Sequence, residues 1–479
     1  MGRHQIAALS NLAGPGRQSS LAWQPGGGRL AAAAPARVLL TIPSAADIVA
    51  GEPPVPTANP PLAMNRASML SDDCPPMGIY ETLYAFRDTF GQFMGSPGTH
   101  PWSQGFPLTT PLPGGPALPA SVAVTPDDRF YPKAWGHPLL REAIAAHYND
   151  FYGSRIAPEN VMVFAGGRPG IYAVLAFLKR HVEVRIGNVE WPAYLDILTQ
   201  TATNWRVVPF TRENGFHPPN AAYFDRQGLN AKTDLLAVLS NPGNPTGHTR
   251  AGAELAELIA MAEQPKHGIL LDEAYEMFHA SRGVSGIRYV KDLDNSNVFL
   301  AGACTKGLQC PGIRIGWIIA SRKNIETLAN FSSFGMGGVS HPSQLYAVEL
   351  LQRERVAAAR DAVARHYGMQ RERYGRAFAS MGLQVHTGDG GFYHWLELPP
   401  GLDAAELNRR LFKHGAAILR GFDCDMARPH AKDPSYRSPY AAFFRFSFGP
   451  LPPESFESDL AIMQRVLDEY RADVAATRH

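Results

Sequence analysis

The chain has 479 residues, 45% hydrophobic and 18% charged, with a formal net charge of +2. That is enough apolar surface for a large core shared by two or more domains, and the near-neutral balance disfavours nucleic acid or a membrane surface as a partner. Four scattered cysteines, Cys74, Cys304, Cys310 and Cys424, make no metal-ligand spacing and fit a reduced, cytoplasmic setting, and no apolar run reaches transmembrane length.

Residues 1–63 lack the periodic apolar pattern that builds a core. Stretches such as Pro25-Gly26-Gly27-Gly28 and Pro53-Pro54-Val55-Pro56 read as a disordered leader, with Met64 as a candidate start. From about residue 120 strands alternate with helices, the pattern of an α/β domain on a largely parallel sheet. Residues 161–164 read as a short buried strand. The turn Ala165-Gly166-Gly167-Arg168 then opens a helix over 169–180, with Pro169 in its first turn and Lys179-Arg180 at the negative end of its dipole. A glycine turn at a helix start is a ready phosphate site, because its N–H groups point outward. Three further strands, 235–239, 268–271 and 298–301, run respectively into an Asn-Pro loop, Asp272 and Lys306. In open α/β sheets ligands gather at the carboxyl ends of strands, so three separate segments point at one crevice.

The residues at those ends form an ordered set. Ser240-Asn241-Pro242-Gly243-Asn244-Pro245-Thr246-Gly247 leads to Asp272 and Tyr275, then to Thr305-Lys306 and Arg314. A lysine amine can bond to an aldehyde, a buried acid can keep a pyridine nitrogen protonated, and an arginine fork matches a phosphate. An isolated lysine is usually a solvated surface group; the ordered combination is the specific signal. Near the end, Phe443-Phe444-Arg445-Phe446-Ser447-Phe448 alternates an arginine with apolar residues, and a charge so flanked needs a partner.

This set resembles the fold-type I, class I/II aminotransferases that use pyridoxal 5′-phosphate (PLP), and the likeness runs from about residue 102 to 450. The resemblance implies an α/β fold: a mixed, mainly parallel sheet flanked by helices in a large PLP-binding domain over 126–345. A smaller α+β domain would combine an N-terminal arm over 64–125 with residues 346–479. It also implies a homodimer with shared active sites, and an L-amino acid and a 2-oxo acid as substrates of a ping-pong reaction. Lys306 would bond to PLP and carry the proton at the substrate α-carbon, Asp272 would pair with the pyridine nitrogen, and Asn244 and Tyr275 would hydrogen-bond the ring oxygen. Arg314, Gly166, Gly167, Arg168 and Thr305 fall around the phosphate. In Glu190-Trp191-Pro192-Ala193-Tyr194 the resemblance gives Tyr194 the ring-stacking role, with Trp191 as packing. Tyr131 matches the tyrosine that reaches the neighbouring subunit's phosphate. Arg445 would clamp the substrate α-carboxylate, with Asn244 and the loop containing Gly105 beside it.

Several positions depart from the family pattern. Ala165 and Ala303 stand where many relatives carry hydroxyls near the phosphate, residues 181–188 lack the usual acidic turn, and Arg420-Gly421 replaces a Pro-Gly pair. Residues 334–341 contain no arginine, where dicarboxylate-specific relatives supply one, so an apolar, aromatic or neutral donor side chain is expected. His341 reads as structural. The same fold and cofactor also serve lyases, cyclases, racemases and oxidases of amino acids and, more remotely, PLP-binding transcription regulators. The leader shows no helix-turn-helix for the last of these.

Overall fold

Branched and apolar side chains cluster in runs of four to seven residues, and these runs are the strands of the computed structural model. The structure describes residues 77–428 and 435–477, together with the backbone of 38–41. Most of the expected leader, 1–63, and the first part of the expected arm, 64–76, lie outside the described residues.

Strand β1, Val38–Thr41, pairs antiparallel with β2, Ser121–Val124. The main sheet comprises β3 (Val161–Phe164), β4 (Val182–Gly187), β5 (Trp205–Val208), β6 (Asp234–Ser240), β7 (His267–Asp272), β8 (Val298–Ala303) and β9 (Gly316–Ile319), in the order β3-β9-β8-β7-β6-β4-β5. Only β9 runs against its neighbours. Its central strands are buried on both faces, which is why they read as unbroken apolar runs rather than alternating ones. The pleat sends Leu236, Val238 and Leu270 into one core and Ala237, Leu239, Ile269 and Leu271 into the other. The sheet is thus a mainly parallel layer with helices on both sides, as expected from sequence.

The helices are α1 (Tyr80–Phe90), α2 (Pro138–Tyr152), α3 (Gly167–Ala176), α4 (Pro192–Gln200), α5 (Gly252–Ala262), α6 (Arg322–Ala329), α7 (His341–Leu350), α8 (Arg353–Ser380), α9 (Ala404–Phe412) and α10 (Phe456–Thr477). Helix α3 begins two residues before the expected start and ends four before the expected end. Gly166, at φ +98°, makes the reversal that lets the helix begin at Gly167. At the other end Val182 N–H already bonds the Lys179 carbonyl, turning the chain into β4. Residues 181–188, noted above only for the missing acidic turn, therefore supply an internal strand.

A second, antiparallel sheet has the order β10-β11-β13-β12, from Gln384–Val385, Tyr393–Glu397, Leu419–Arg420 and Phe443–Ser447 in chain order. Trp395 on β11 lies opposite Arg445 on β13. The 28-residue α8 covers this sheet, with Tyr374 and Phe378 ring centroids 5.2 and 4.8 Å from that of Phe446. Helix α1 joins the same body through an edge-on Phe86–Phe412 contact at 5.6 Å.

Candidate active site

The carboxyl ends of β3, β6, β7 and β8 open into a cavity of about 570 Å³ whose far wall is the antiparallel sheet. Asp272 is the last residue of β7. One carboxylate oxygen accepts the Ala274 N–H at 3.0 Å and the other the Tyr194 hydroxyl at 2.9 Å. Burial pushes its pKa up, against the pull of these two donors and of the Lys306 charge. The loop after β6 is cross-braced, since the Asn241 side chain exchanges two hydrogen bonds with the Arg250 backbone at 2.7 and 2.9 Å. The brace fixes Asn244, whose N–H donates to the Ser240 hydroxyl at 2.9 Å and whose side-chain oxygen accepts from Arg445 at 2.8 Å.

Lys306 follows β8 and donates its amine to the Gly105 carbonyl. Burial, reinforced by the Arg445 cation, lowers its pKa to about 7, so a neutral amine is available near neutral pH. The second cationic corner lies where β3 turns into α3. Arg314, in a left-handed conformation at φ +55°, donates to the carbonyls of Pro311 at 2.9 Å and Ala165 at 3.4 Å. A Cβ at Gly166 would stand 2.2 Å from the Arg314 guanidinium, so the arginine crosses the turn only because that residue is glycine. Arg168 lies with its guanidinium 5.1 Å from the Trp191 ring centroid. Its pKa is lowered by burial and then by Arg314. Gly167, Arg168, Thr305 and Arg314 all line the cavity. A glycine cradle, a helix N-terminus and two arginines fit a phosphate. With Lys306 and Asp272 on the same wall, the residues present fit PLP.

Arg445 is 2% exposed. Its terminal nitrogens donate to Asn244 and to the Ser103 carbonyl, at 2.8 and 2.7 Å, and its guanidinium lies 4.2 Å over the Tyr393 ring. Its Nε–H has no partner among the described residues. Tyr275 and Tyr393 hydroxyls meet at 2.6 Å. The segment with Ser103 and Gly105 is anchored from behind by Asp459 on α10, which accepts from His100, Trp102, Tyr374 and Ser455 at 2.6 to 3.0 Å.

The structure therefore brings Lys306, Asp272, Asn244, Tyr275, Thr305, Arg314, Gly166, Gly167, Arg168, Gly105 and Arg445 to one site. The placement of Tyr194 and Trp191 differs from the expectation. Tyr194 does not line the cavity: its hydroxyl is committed to Asp272, and Trp191 turns its ring to the cavity instead. The helical turn from Trp191 to Tyr194 separates the two directions, with the rings edge-on at 5.3 Å. Tyr131 does not reach the cavity of its own chain and is 93% exposed. Arg420 is held by Asp423 and Glu81, at 2.6 and 2.8 Å, while neighbouring Leu419 lines the cavity. His341 pairs with Asp128 at 3.1 Å. Sequence reasoning missed Tyr393, hidden in an apolar strand, and the segment Met77, Gly78, Ile79 and Tyr80 at the mouth. No described helix is long and apolar enough to cross a membrane.

A sequence profile of the family described as aminotransferase class I and II matches residues 112–450. The chain is 29% identical over 263 residues to an aspartate aminotransferase of Pyrococcus horikoshii, covering 54% of this chain and 65% of that one. It is 26% identical over 295 residues to an LL-diaminopimelate aminotransferase of Protochlamydia amoebophila, covering 57% and 68%. The solved structure of an aminotransferase from Mycobacterium tuberculosis superposes with a TM-score of 0.64 at 21% identity, covering 85% of this chain and 99% of that one.

Proposed function

The chain belongs to the class I and II aminotransferase family, a PLP-dependent family, and on that premise we propose that it moves an amino group from an L-amino acid to a 2-oxo acid by a ping-pong mechanism. The observation that carries this is the meeting of Lys306, Asp272 and Arg445 on one cavity. PLP supplies an aldehyde that takes the amino group and a protonated ring that holds the electron pair released at the α-carbon.

The chain's own groups do the rest. Lys306, with its pKa lowered to about 7, would take the proton from the α-carbon as the neutral amine and return it to the other end of the transferred system. Asp272, braced by Tyr194 and Ala274, would pair with the ring nitrogen. Arg314, Arg168 and the Gly166-Gly167 backbone would hold the phosphate, and Trp191, which lines the cavity, would take the place beside the ring expected of Tyr194. Arg445 takes the α-carboxylate with its fork, and Asn244 and Tyr275 donate to the ring oxygen.

The donor side chain is apolar, aromatic or neutral. Supporting this, Ile79, Phe106, Ile171, Trp191 and Ile197 line the cavity, and residues 334–341 carry no arginine. Exposed Tyr131 fits a homodimer in which it reaches the phosphate of a second copy. The reduced, buried thiols of Cys304, Cys310 and Cys424 fit a cytoplasmic setting. The test is an absorbance scan of the PLP-loaded protein with a panel of amino acids and no 2-oxo acid. Conversion of the visible band to the near-ultraviolet band of the amine form is expected, strongest with apolar or aromatic donors. A persistent long-wavelength band with every donor would assign another fate to the same carbanion, and fastest conversion by aspartate would overturn the side-chain reading.

A further inference from the structure

Tyr393 sits at the start of β11, and nothing in the motif set points to it. Its side chain is fully buried, yet it touches both halves of the site. Arg445 lies on the neighbouring strand β13, opposite Trp395 and diagonal to Tyr393. Diagonal neighbours are within reach of long and aromatic side chains, and the Arg445 guanidinium lies 4.2 Å over the Tyr393 ring. The ring supports the cation without using any of its N–H groups, which remain free for hydrogen bonds. The hydroxyl at the other end of the ring meets that of Tyr275 at 2.6 Å. Space is reserved for it: a Cβ at Gly105 would stand 2.8 Å from the Tyr393 oxygen.

Ordinary packing does not account for the hydroxyl. Phe392, the preceding residue, already fills the apolar gap, with its ring 5.2 Å from Tyr275 and 5.3 Å from Phe278. A phenylalanine at 393 would give the same ring surface. What the hydroxyl adds is a hydrogen-bonding group to Tyr275, in a pair where either oxygen can be the donor. Tyr275 has a single O–H, and if it spent that proton on Tyr393 it could not donate into the cavity.

We propose that Tyr393 is a positioning residue with two ends: its ring sets the plane of Arg445, and its hydroxyl donates to Tyr275 so that Tyr275 keeps its own proton for the ring oxygen of PLP. This rests on the function proposed above. It divides the effects of two substitutions. Tyr393→Phe removes the proton donor and keeps the platform; Tyr393→Leu removes both.

The experiment is a pH titration of the visible absorption of the PLP-loaded protein, parent against Tyr393→Phe, with amino-acid KM measured for parent, Tyr393→Phe and Tyr393→Leu. Losing the donor behind Tyr275 weakens its hold on the ring oxygen and disfavours the form in which that oxygen is fully charged. The titration midpoint of Tyr393→Phe should therefore rise, by about 0.5–1 unit for one hydrogen bond, with KM within about threefold of the parent. Tyr393→Leu should also raise KM by about tenfold, the scale of a lost cation–π contact. A Tyr393→Phe midpoint equal to the parent's, with a normal parent band, overturns the inference and leaves the proposed function standing. A parent that captures PLP but shows no lysine-bound visible band overturns both.

Discussion

The seven-stranded sheet delivers Asp272, Asn244 and Lys306 from its strand ends and the loops beyond them, whereas the four-stranded sheet delivers Tyr393 and Arg445 from within two adjacent strands. The difference is one of constraint. A group beyond a strand end is aimed by its turn and needs bracing of its own, such as the Asn241–Arg250 exchange or the two donors on Asp272. A group inside a strand is aimed by the pleat, and a one-residue slip would turn Arg445 to the opposite face. Lys306 and Asp272 are thus aimed by turns, and Arg445 by a register.

The sharpest way to break this division is Lys306→Ala. Amine transfer should fall by about 10⁴-fold or more, the scale of losing a general base and more, while PLP is still retained through the Arg314 corner, as equilibrium dialysis would show. Undiminished turnover would remove the strand-end chemistry altogether. Arg445→Gln comes next. Its kcat/KM for amino acids should drop by about 100-fold, mostly through KM, consistent with a lost charge-assisted pair. An unchanged KM would show that the anion is held elsewhere. A smaller effect joins the two regions: in the apoprotein the rate of PLP capture should rise with pH and level off above about 7, because only the neutral Lys306 amine attacks. Below that midpoint the rate should fall about tenfold per pH unit. In Arg445→Gln the midpoint should move upward, since a neighbouring cation no longer opposes protonation; a rate still climbing beyond pH 9 in the parent would contradict the lowered value. Smallest is Asp459→Asn, which should lower stability by about 1–3 kcal/mol in denaturant titrations and leave PLP capture unchanged. Loss of capture would tie the loop anchor to the strand-end groups as well.

The two regions were also unequally legible. Asn244, Asp272, Lys306 and Arg314 were readable because a turn that must be braced leaves prolines, glycines and a fixed order in the sequence. Arg445 was readable because a charge interrupts an aromatic alternation. Tyr393 was not, since Phe392-Tyr393-His394-Trp395 reads simply as core strand, and the diagonal contact with Arg445 exists only through pairing of segments fifty residues apart. The exchange of Trp191 for Tyr194 has a similar origin: both are aromatic residues at one helix start, and which faces the cavity depends on helix phase. Strand β4 was passed over because Glu183 and Arg185 break its apolar run, although the two form an ion pair at 2.8 Å.

The carbonyls of Ser103 and Gly105, bound by Arg445 and Lys306, have a consequence for selectivity. They act as a resident competitor. An incoming group gains only the difference between its own bond to the arginine and the bond already made to a neutral backbone oxygen. A carboxylate wins that exchange because its charge roughly doubles the strength of the contact; an amide or an ester oxygen merely replaces like with like. If Arg445 takes the substrate carboxylate as proposed, the loop would favour free amino acids over peptides and amino-acid amides, with the Ser103 carbonyl as the group to be displaced.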